Sequence, residues 1–203
     1  MEAEYKYRIS DASIFDSILK YSLVSKHLRN EKKDSIRMYA VYYDTADEDL
    51  RNAGIAYRIR NENDRLVATI KWDIDVSEGL HRREEINLVI NDERFLDAPN
   101  IEIFKSSDAY EVLHQAVGDK PLEKTVEMDF ERQLVRIDTG KSINAISLDS
   151  GVIKTPRGDM DILELEIELY HGEEEDFKQL SRKIAEKYGL EPEDESKLQR
   201  AFK

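Results

Sequence analysis

The segment Leu163-Glu164-Leu165-Glu166-Ile167-Glu168-Leu169 alternates without a break between an apolar residue and a carboxylate. A β-strand separates such a series cleanly, because its side chains leave alternately from opposite faces. One face is then hydrophobic, and the other carries a row of glutamates about 6.7 Å apart. Three like charges in file repel unless cations compensate them. The chain must therefore build a sheet that buries one face and brings positive charge to the other.

The same one-sided pattern recurs along the sequence. Glu2, Glu4 and Lys6 share one face of a strand, with Ala3, Tyr5, Tyr7 and Ile9 opposite. Arg58 and Arg60 oppose Tyr57 and Ile59, and Lys71 opposes Ile70 and Trp72. Arg83, Glu85 and Asn87 oppose Ile86, Leu88 and Ile90, while Arg132 and Arg136 share a face interrupted by Leu134. A half-exposed sheet laced with ordinary ion pairs, each worth ~0–1 kcal/mol, is the usual meaning of such a pattern. Wet faces normally mix Thr, Ser and Gln with charges, however, and these positions are nearly all ionic. The acid-rich strands are the first and the last, and a block of basic positions lies between them. Segregation of this kind suits a metal–polyanion site, with carboxylates holding Mg²⁺ or Mn²⁺ and Arg and Lys holding phosphate oxygens.

Alternation places strands near 2–9, 36–45, 55–62, 65–73, 81–90, 124–138, 143–149 and 161–170, with a hairpin loop at 61–65. Helical spacing predicts a helix after Ser10 or Asp11, a second from Ser106/Ser107 to Gly118, a third over 174–188 and a short one within 193–203. Many strands and few helices predict an α+β protein with one large antiparallel sheet, open or closed, and helices outside it. With 203 residues and no linker or repeat, a single domain over 1–203 is expected.

The net charge of −13 argues against binding duplex nucleic acid, yet a local basic cluster still accommodates a small anion. The absence of cysteine removes disulfides, thiolate-bound zinc and thiol nucleophiles. No apolar run approaches the ~20 residues that span a bilayer, and the charged N-terminus is no signal peptide. A cytoplasmic protein is expected.

In this order the pieces are similar to those of the CYTH superfamily, the triphosphate tunnel metalloenzymes. Glu2-x-Glu4-x-Lys6 resembles the family's ExExK signature. There follow Tyr42-Tyr43-Asp44-Thr45, Tyr57-Arg58-Ile59-Arg60, Thr69-Ile70-Lys71 and Gly79-Leu80-His81 leading to Arg83-x-Glu85-x-Asn87. Leu148-Asp149-Ser150-Gly151, the 164–168 glutamates and Ser196-Lys197 complete the series, which spans essentially the whole chain. The Gly-Leu-His stretch resembles the bacterial inorganic triphosphatase branch; the helical CHAD domain of some relatives is not expected.

The resemblance implies an eight-stranded antiparallel closed barrel, a triphosphate tunnel, with helices packed outside. It implies Mg²⁺ or Mn²⁺ held by Glu2, Glu4, Asp149, Glu164, Glu166 and Glu168. Lys6, Arg58, Arg60, Lys71, Arg83, Arg132 and Lys197 match the cations that bind a triphosphate, and Glu85 and Arg136 are further tunnel residues. On the sixth strand relatives tend to carry two alternating basic residues, whereas here Phe130 precedes Arg132. Lys6 matches a catalytic general base, although its glutamate neighbours oppose the neutral form that a base requires.

The implied activity is metal-dependent hydrolysis of a triphosphate, inorganic tripolyphosphate foremost, to diphosphate and phosphate. A class IV-type adenylyl cyclase, a thiamine or nucleoside triphosphatase, and a non-catalytic triphosphate- or nucleotide-binding protein are the alternatives. Cyclases of the family tend to carry a His-Phe pair upstream of these carboxylates, where only Met1 stands here. The expected partner is a small-molecule triphosphate, with no membrane and a homodimer open. Tyr42, Tyr43 and Trp72 read as strand and core residues. His27, His81, His114 and His171 show no metal-ligand spacing.

Overall fold

The two acid-rich strands at opposite ends of the sequence lie side by side. In the computed structural model, which describes residues 2–29, 32–155 and 157–203, β1 (Glu2–Arg8) and β8 (Gly158–Gly172) run antiparallel, with Glu4 opposite Glu168 and Lys6 opposite Glu166. The other edge of β1 pairs with β5 (Leu80–Ile90), where Glu2 faces Arg83. Between them stand β2 (Asp34–Asp44), β3 (Ala56–Glu62), β4 (Arg65–Ser77), β6 (Glu123–Asp138) and β7 (Ser142–Thr155). One meander runs β2–β3–β4–β5 and a second β6–β7–β8; they join through β2 and β6, and β1 closes their free edges. The result is the closed eight-stranded antiparallel barrel, which among the described residues leaves no long strand edge unpaired.

Tight turns fix the register. Asn63 and Asp64, inside the expected 61–65 loop, both take positive φ, the conformation that matches a two-residue hairpin to strand twist. Gly79 does the same between β4 and β5, and a side chain there would meet the Lys6 carbonyl and Pro192. Strands β7 and β8 extend further toward each other than the alternation suggested, because Gly151 interrupts the pattern without interrupting the ladder. Gly151 lies opposite Phe130, and a Cβ on it would fall against the backbone of Asp129 and Phe130.

The outward rows make two cores. Helices α1 (Ser13–Lys20) and α5 (Glu174–Tyr188) cover β1, β7 and β8 through Phe15, Ile18, Phe177, Leu180 and Ile184. Phe104 and Leu113, the latter on α4 (Ala109–Val117), pack with Tyr57, Ile59 and Ile70. Short helices α2 (Ser22–Ser25) and α3 (Asp49–Asn52) follow α1 and β2. Trp72 packs on the second core, as expected. The third apolar cluster gathers the inward residues Met38, Tyr42, Met128 and Phe130 with Ile153 and Ile162. Against it lies α6 (Lys197–Ala201), seated on this cluster through Leu198, Ala201 and Phe202. The other main helices pack outside the barrel, whereas α6 turns into its end.

No helix among the described residues is long and apolar enough to cross a membrane. Replacing Gly151 by Ala is expected to cost roughly 2 kcal/mol or more through overpacking between β6 and β7. A fall in Tm of at least about 4 °C would register it; an unchanged Tm would mean that the strands part freely.

Candidate active site

Inward side chains of β1, β3, β4, β5, β6 and β8, together with α6, line a cavity of about 550 Å³. Every charge sent to that face must find a partner, because an isolated ion loses several kcal/mol of hydration on burial. At the front, Lys71 Nζ lies 2.9 Å from Glu2 and also pairs with Glu85. Arg83 bridges Glu2, at 3.1 Å, and Glu4. Lys6 Nζ stands 2.9 Å from Glu4 and 3.7 Å from Glu166, joining β1 to β8. Glu4 is thereby held well below the usual carboxylate range despite its burial, which pushes the other way.

A second lattice lies at the α6 end. Arg132 donates two hydrogen bonds of 2.7 Å to Asp149 and one of 2.5 Å to Glu166. Lys197 Nζ lies 2.8 Å from Asp149 and 2.9 Å from Glu166, and contacts Glu164. Arg200 donates to Glu164 at 2.8 Å. Burial drives Lys197 down to about 7, against the pull of Asp149. Arg200 stands outside every alternating row of the sequence; its one signal there is its place a turn after Lys197. Phe130 stands beneath the Lys197 ammonium, 5.5 Å from ring centroid to nitrogen, which accounts for an aromatic where relatives tend to have a base.

The segment before α6 anchors it to β1. Strand β9 (Glu191–Pro192) pairs with Tyr7 and Arg8, and Glu193 N donates to the Lys6 carbonyl at 2.9 Å. The His81 ring meets the Glu193 carbonyl at 2.8 Å, and burial lowers its pKa to about 4, so it serves as a neutral strut. Ser196 then caps α6 by accepting from Gln199 N, while the Gln199 side chain accepts from Ser196 N.

Two groups remain out of balance. Glu168 makes no ion pair among the described residues, and burial together with repulsion from Glu2 and Glu4 raises it to about 8. On β3, the Nε atoms of Arg58 and Arg60 are buried without a hydrogen-bond partner. Arg58 has the Tyr42 hydroxyl at 3.2 Å, and Arg60 pairs with Glu62. Burial and the neighbouring Arg58 lower Arg60 to about 10. Tyr42 is the strand residue expected, with a hydroxyl that also reaches the cavity wall. Arg136 sits at the cavity mouth, where Asp34 is 3.5 Å away.

All the expected site residues thus reach this interior, with Asp149 and Glu164 set behind Arg132 and Lys197 rather than on the cavity surface. The expected metal ligands fall into two sets. Oxygens of Asp149, Glu164 and Glu166 lie within 4.8 Å of one another, but Arg132, Lys197 and Arg200 already neutralise them. Glu2 and Glu4 share Lys6, Lys71 and Arg83 with Glu85, and Glu168 beside them makes no ion pair among the described residues; the all-oxygen chemistry of this second set fits a hard divalent cation such as Mg²⁺ or Mn²⁺.

Fold and site together define a β-tunnel with a charge-sorted interior. The chain belongs to the CYTH family, whose domain pattern matches residues 1–202. It is 28% identical over 136 residues to an inorganic triphosphatase of Haemophilus influenzae, an overlap of 67% of this chain and 37% of that protein. The chain thus spans well under half the length of this relative. Among solved structures, a proposed adenylyl cyclase from Hippeastrum, described as having a dominant triphosphatase activity, aligns with TM-score 0.72 and 22% identity over 98% of this chain and 93% of its own. A proposed adenylate cyclase from Bacillus halodurans gives 0.67 and 20% over 100% and 98%. The PH1819 protein of Pyrococcus horikoshii gives 0.61 and 21% over 100% and 98%. These structural likenesses concern the fold.

Glu168 offers a direct test of the imbalance. Its ordinary value of 4.5 rises to about 8 on folding, so between those values the folded protein retains a proton that the unfolded chain has released. Stability of the metal-free protein therefore falls as pH climbs through that window. Glu168→Gln is expected to flatten this fall and to raise Tm at pH 8; a pH profile identical to the parent's would show that Glu168 is not strained.

Proposed function

We propose that this protein hydrolyses the terminal phosphoanhydride bond of a triphosphate, with inorganic tripolyphosphate as principal substrate, yielding diphosphate and phosphate. The observation that carries this reading is the pairing of two unmet demands on one cavity: buried Nε atoms of Arg58 and Arg60 without acceptors, and Glu168 with no ion-pair partner among the described residues. The Haemophilus influenzae relative and the Hippeastrum neighbour, by what they are named for, support it. Residues 1–203 act as one CYTH unit.

Arg58, Arg60, Lys71, Arg83 and Arg132 bind the triphosphate and offset charge that builds on its oxygens in a loose transition state. Lys197 has its donors directed at Asp149, Glu164 and Glu166, so its part is to hold α6 and the rear wall as well as to face the phosphates. Mg²⁺ or Mn²⁺ would be held by Glu2, Glu4 and Glu168, with Glu166 adjoining, and supplies charge neutralisation of the phosphate oxygens when bound. Lys6, its ammonium set between Glu4 and Glu166, is assigned to orienting the attacking water, and to proton transfer only in a complex that draws those carboxylates away from it. A pure anion binder has no use for so many inward carboxylates, which disfavours the non-catalytic reading.

Phosphate release from tripolyphosphate, ATP and thiamine triphosphate, each with Mg²⁺, Mn²⁺, Ca²⁺ or EDTA, tests the proposal. Tripolyphosphate cleavage abolished by EDTA is expected; cyclic AMP formed from ATP while tripolyphosphate stays intact would overturn it. Arg58→Ala and Arg60→Ala should each lower kcat/KM by about 10- to 100-fold, the value of a charge-assisted hydrogen bond. Lys6→Met should lower kcat about 100-fold or more with KM little changed. A change in KM alone would make Lys6 a substrate ligand only.

A further inference from the structure

The main chain at Lys6 is held by a turn and a link where a neighbouring strand would ordinarily hold it. Both polar groups of a strand residue point to the same edge in an antiparallel ladder. Those of Lys6 point to the gap where β1 leaves its pairing with β5, over Glu2–Tyr5, and has yet to meet β9 at Tyr7 and Arg8. Lys6 N donates there to the carbonyl of Gly79, in the turn between β4 and β5, at 2.9 Å. The Lys6 carbonyl accepts from Glu193 N, also at 2.9 Å.

Asp194 closes these contacts into a ring. Its Oδ1 accepts from Gly79 N at 2.6 Å, and it follows Glu193 directly in the chain. His81, two residues beyond Gly79, donates from Nε2 to the Glu193 carbonyl at 2.8 Å and braces the link from the other side. Gly79 is buried, so its N–H depends on the Asp194 carboxylate, and a buried donor left without an acceptor keeps the full cost of its desolvation. The charge on that acceptor strengthens the bond further. Packing is close around the ring, since a Cβ on Gly79 would fall 2.9 Å from both the Lys6 carbonyl oxygen and Pro192 Cβ. Turn, strand and link are thus constrained to move together. Asp194 itself is exposed and lies outside the cavity lining.

We infer that Asp194 is a positioning residue for the reaction: it holds the Gly79 turn, the turn holds the Lys6 backbone, and that backbone sets where the Lys6 ammonium stands between Glu4 and Glu166. The inference rests on the reading of Lys6 as the group that orients the attacking water. Misplacement by about 1 Å costs on the order of 100-fold in rate, so even a smaller slip of β1 is felt at the reacting atoms. Arg58 and Arg60 bind from β3, which pairs with β2 and β4, and do not depend on the ring. Affinity for the triphosphate is therefore spared.

The test compares the parent protein with Asp194→Ala and Asp194→Asn, each alone and combined with Lys6→Met. With Mg²⁺ and tripolyphosphate, Asp194→Ala should lower kcat about tenfold and change KM by less than about twofold. Asp194→Asn, which keeps an acceptor for Gly79 N, should stay within about twofold of the parent. In the Lys6→Met background Asp194→Ala should lower kcat no further, because its effect passes through Lys6; a merely structural loss would multiply. Multiplying losses, a change confined to KM, or no change at all overturns the assignment. Amide exchange followed by NMR reads the ring without substrate. Exchange at Lys6 and Gly79 should be about tenfold faster in Asp194→Ala and restored in Asp194→Asn, and unaltered exchange would overturn the ring. If the parent cleaves no triphosphate, the hydrolytic reading fails separately, and the exchange rates still decide whether Asp194 holds Lys6 in place.

Discussion

A closed barrel with an ionised interior stands only if its buried charges compensate one another across the strands. The hydration lost by each ion exceeds what one ordinary contact returns, so the acids and bases must come as a connected set. Lys6 shows how the set is built. It sits on the strand that closes the free edges of both meanders, and it pairs with Glu4 on its own strand and Glu166 on the next. Arg83, across the other edge of β1, completes the link through Glu2 and Glu4. Closure of the sheet and neutralisation of its interior are therefore one event: without β1 between β5 and β8, the acid row of β8 would face an open gap.

The rear lattice solves a different problem with the same means. Asp149, Glu164 and Glu166 are balanced by Arg132, Lys197 and Arg200, and two of those bases arrive on α6. A helix of five residues has little stability of its own. It is held by its capping box, by the β9–β1 pairing and by Leu198, Ala201 and Phe202 on the interior apolar patch. In return it closes one end of the tunnel and fixes the depth of the cavity.

Most of the barrel was legible because each inward row is a period-two series against an apolar background. The strands carrying Glu2, Arg58, Arg83 and Glu164 could be placed from alternation alone, and their shared face predicted their meeting. Alternation ends β7 at Asp149 because Gly151 presents no side chain to either face, although its lack of a Cβ is what lets the strand pass Phe130. The inward seat of α6 was not legible either: Leu198, Ala201 and Phe202 give any short helix an apolar stripe, and only the tertiary partner reveals that the stripe faces the inside of the barrel. Arg200 and the front-to-rear division of the carboxylates followed from that seat, and so lay equally outside local pattern.

That division decides what kind of ligand the cavity favours. The rear set is internally neutral and responds weakly to a bound ion. The front keeps Glu168 beside Glu2 and Glu4, while β3 keeps two guanidinium groups with unspent donors. A polyanion alone would satisfy the arginines and aggravate the glutamates; a divalent cation alone would do the reverse. A ligand in which the cation already bridges phosphate oxygens relieves both at once, so each half of the complex strengthens the binding of the other by the same factor. Under the function proposed above, the interior suits a metal–triphosphate complex more closely than either component, because ion pairs are shared unequally between its two ends.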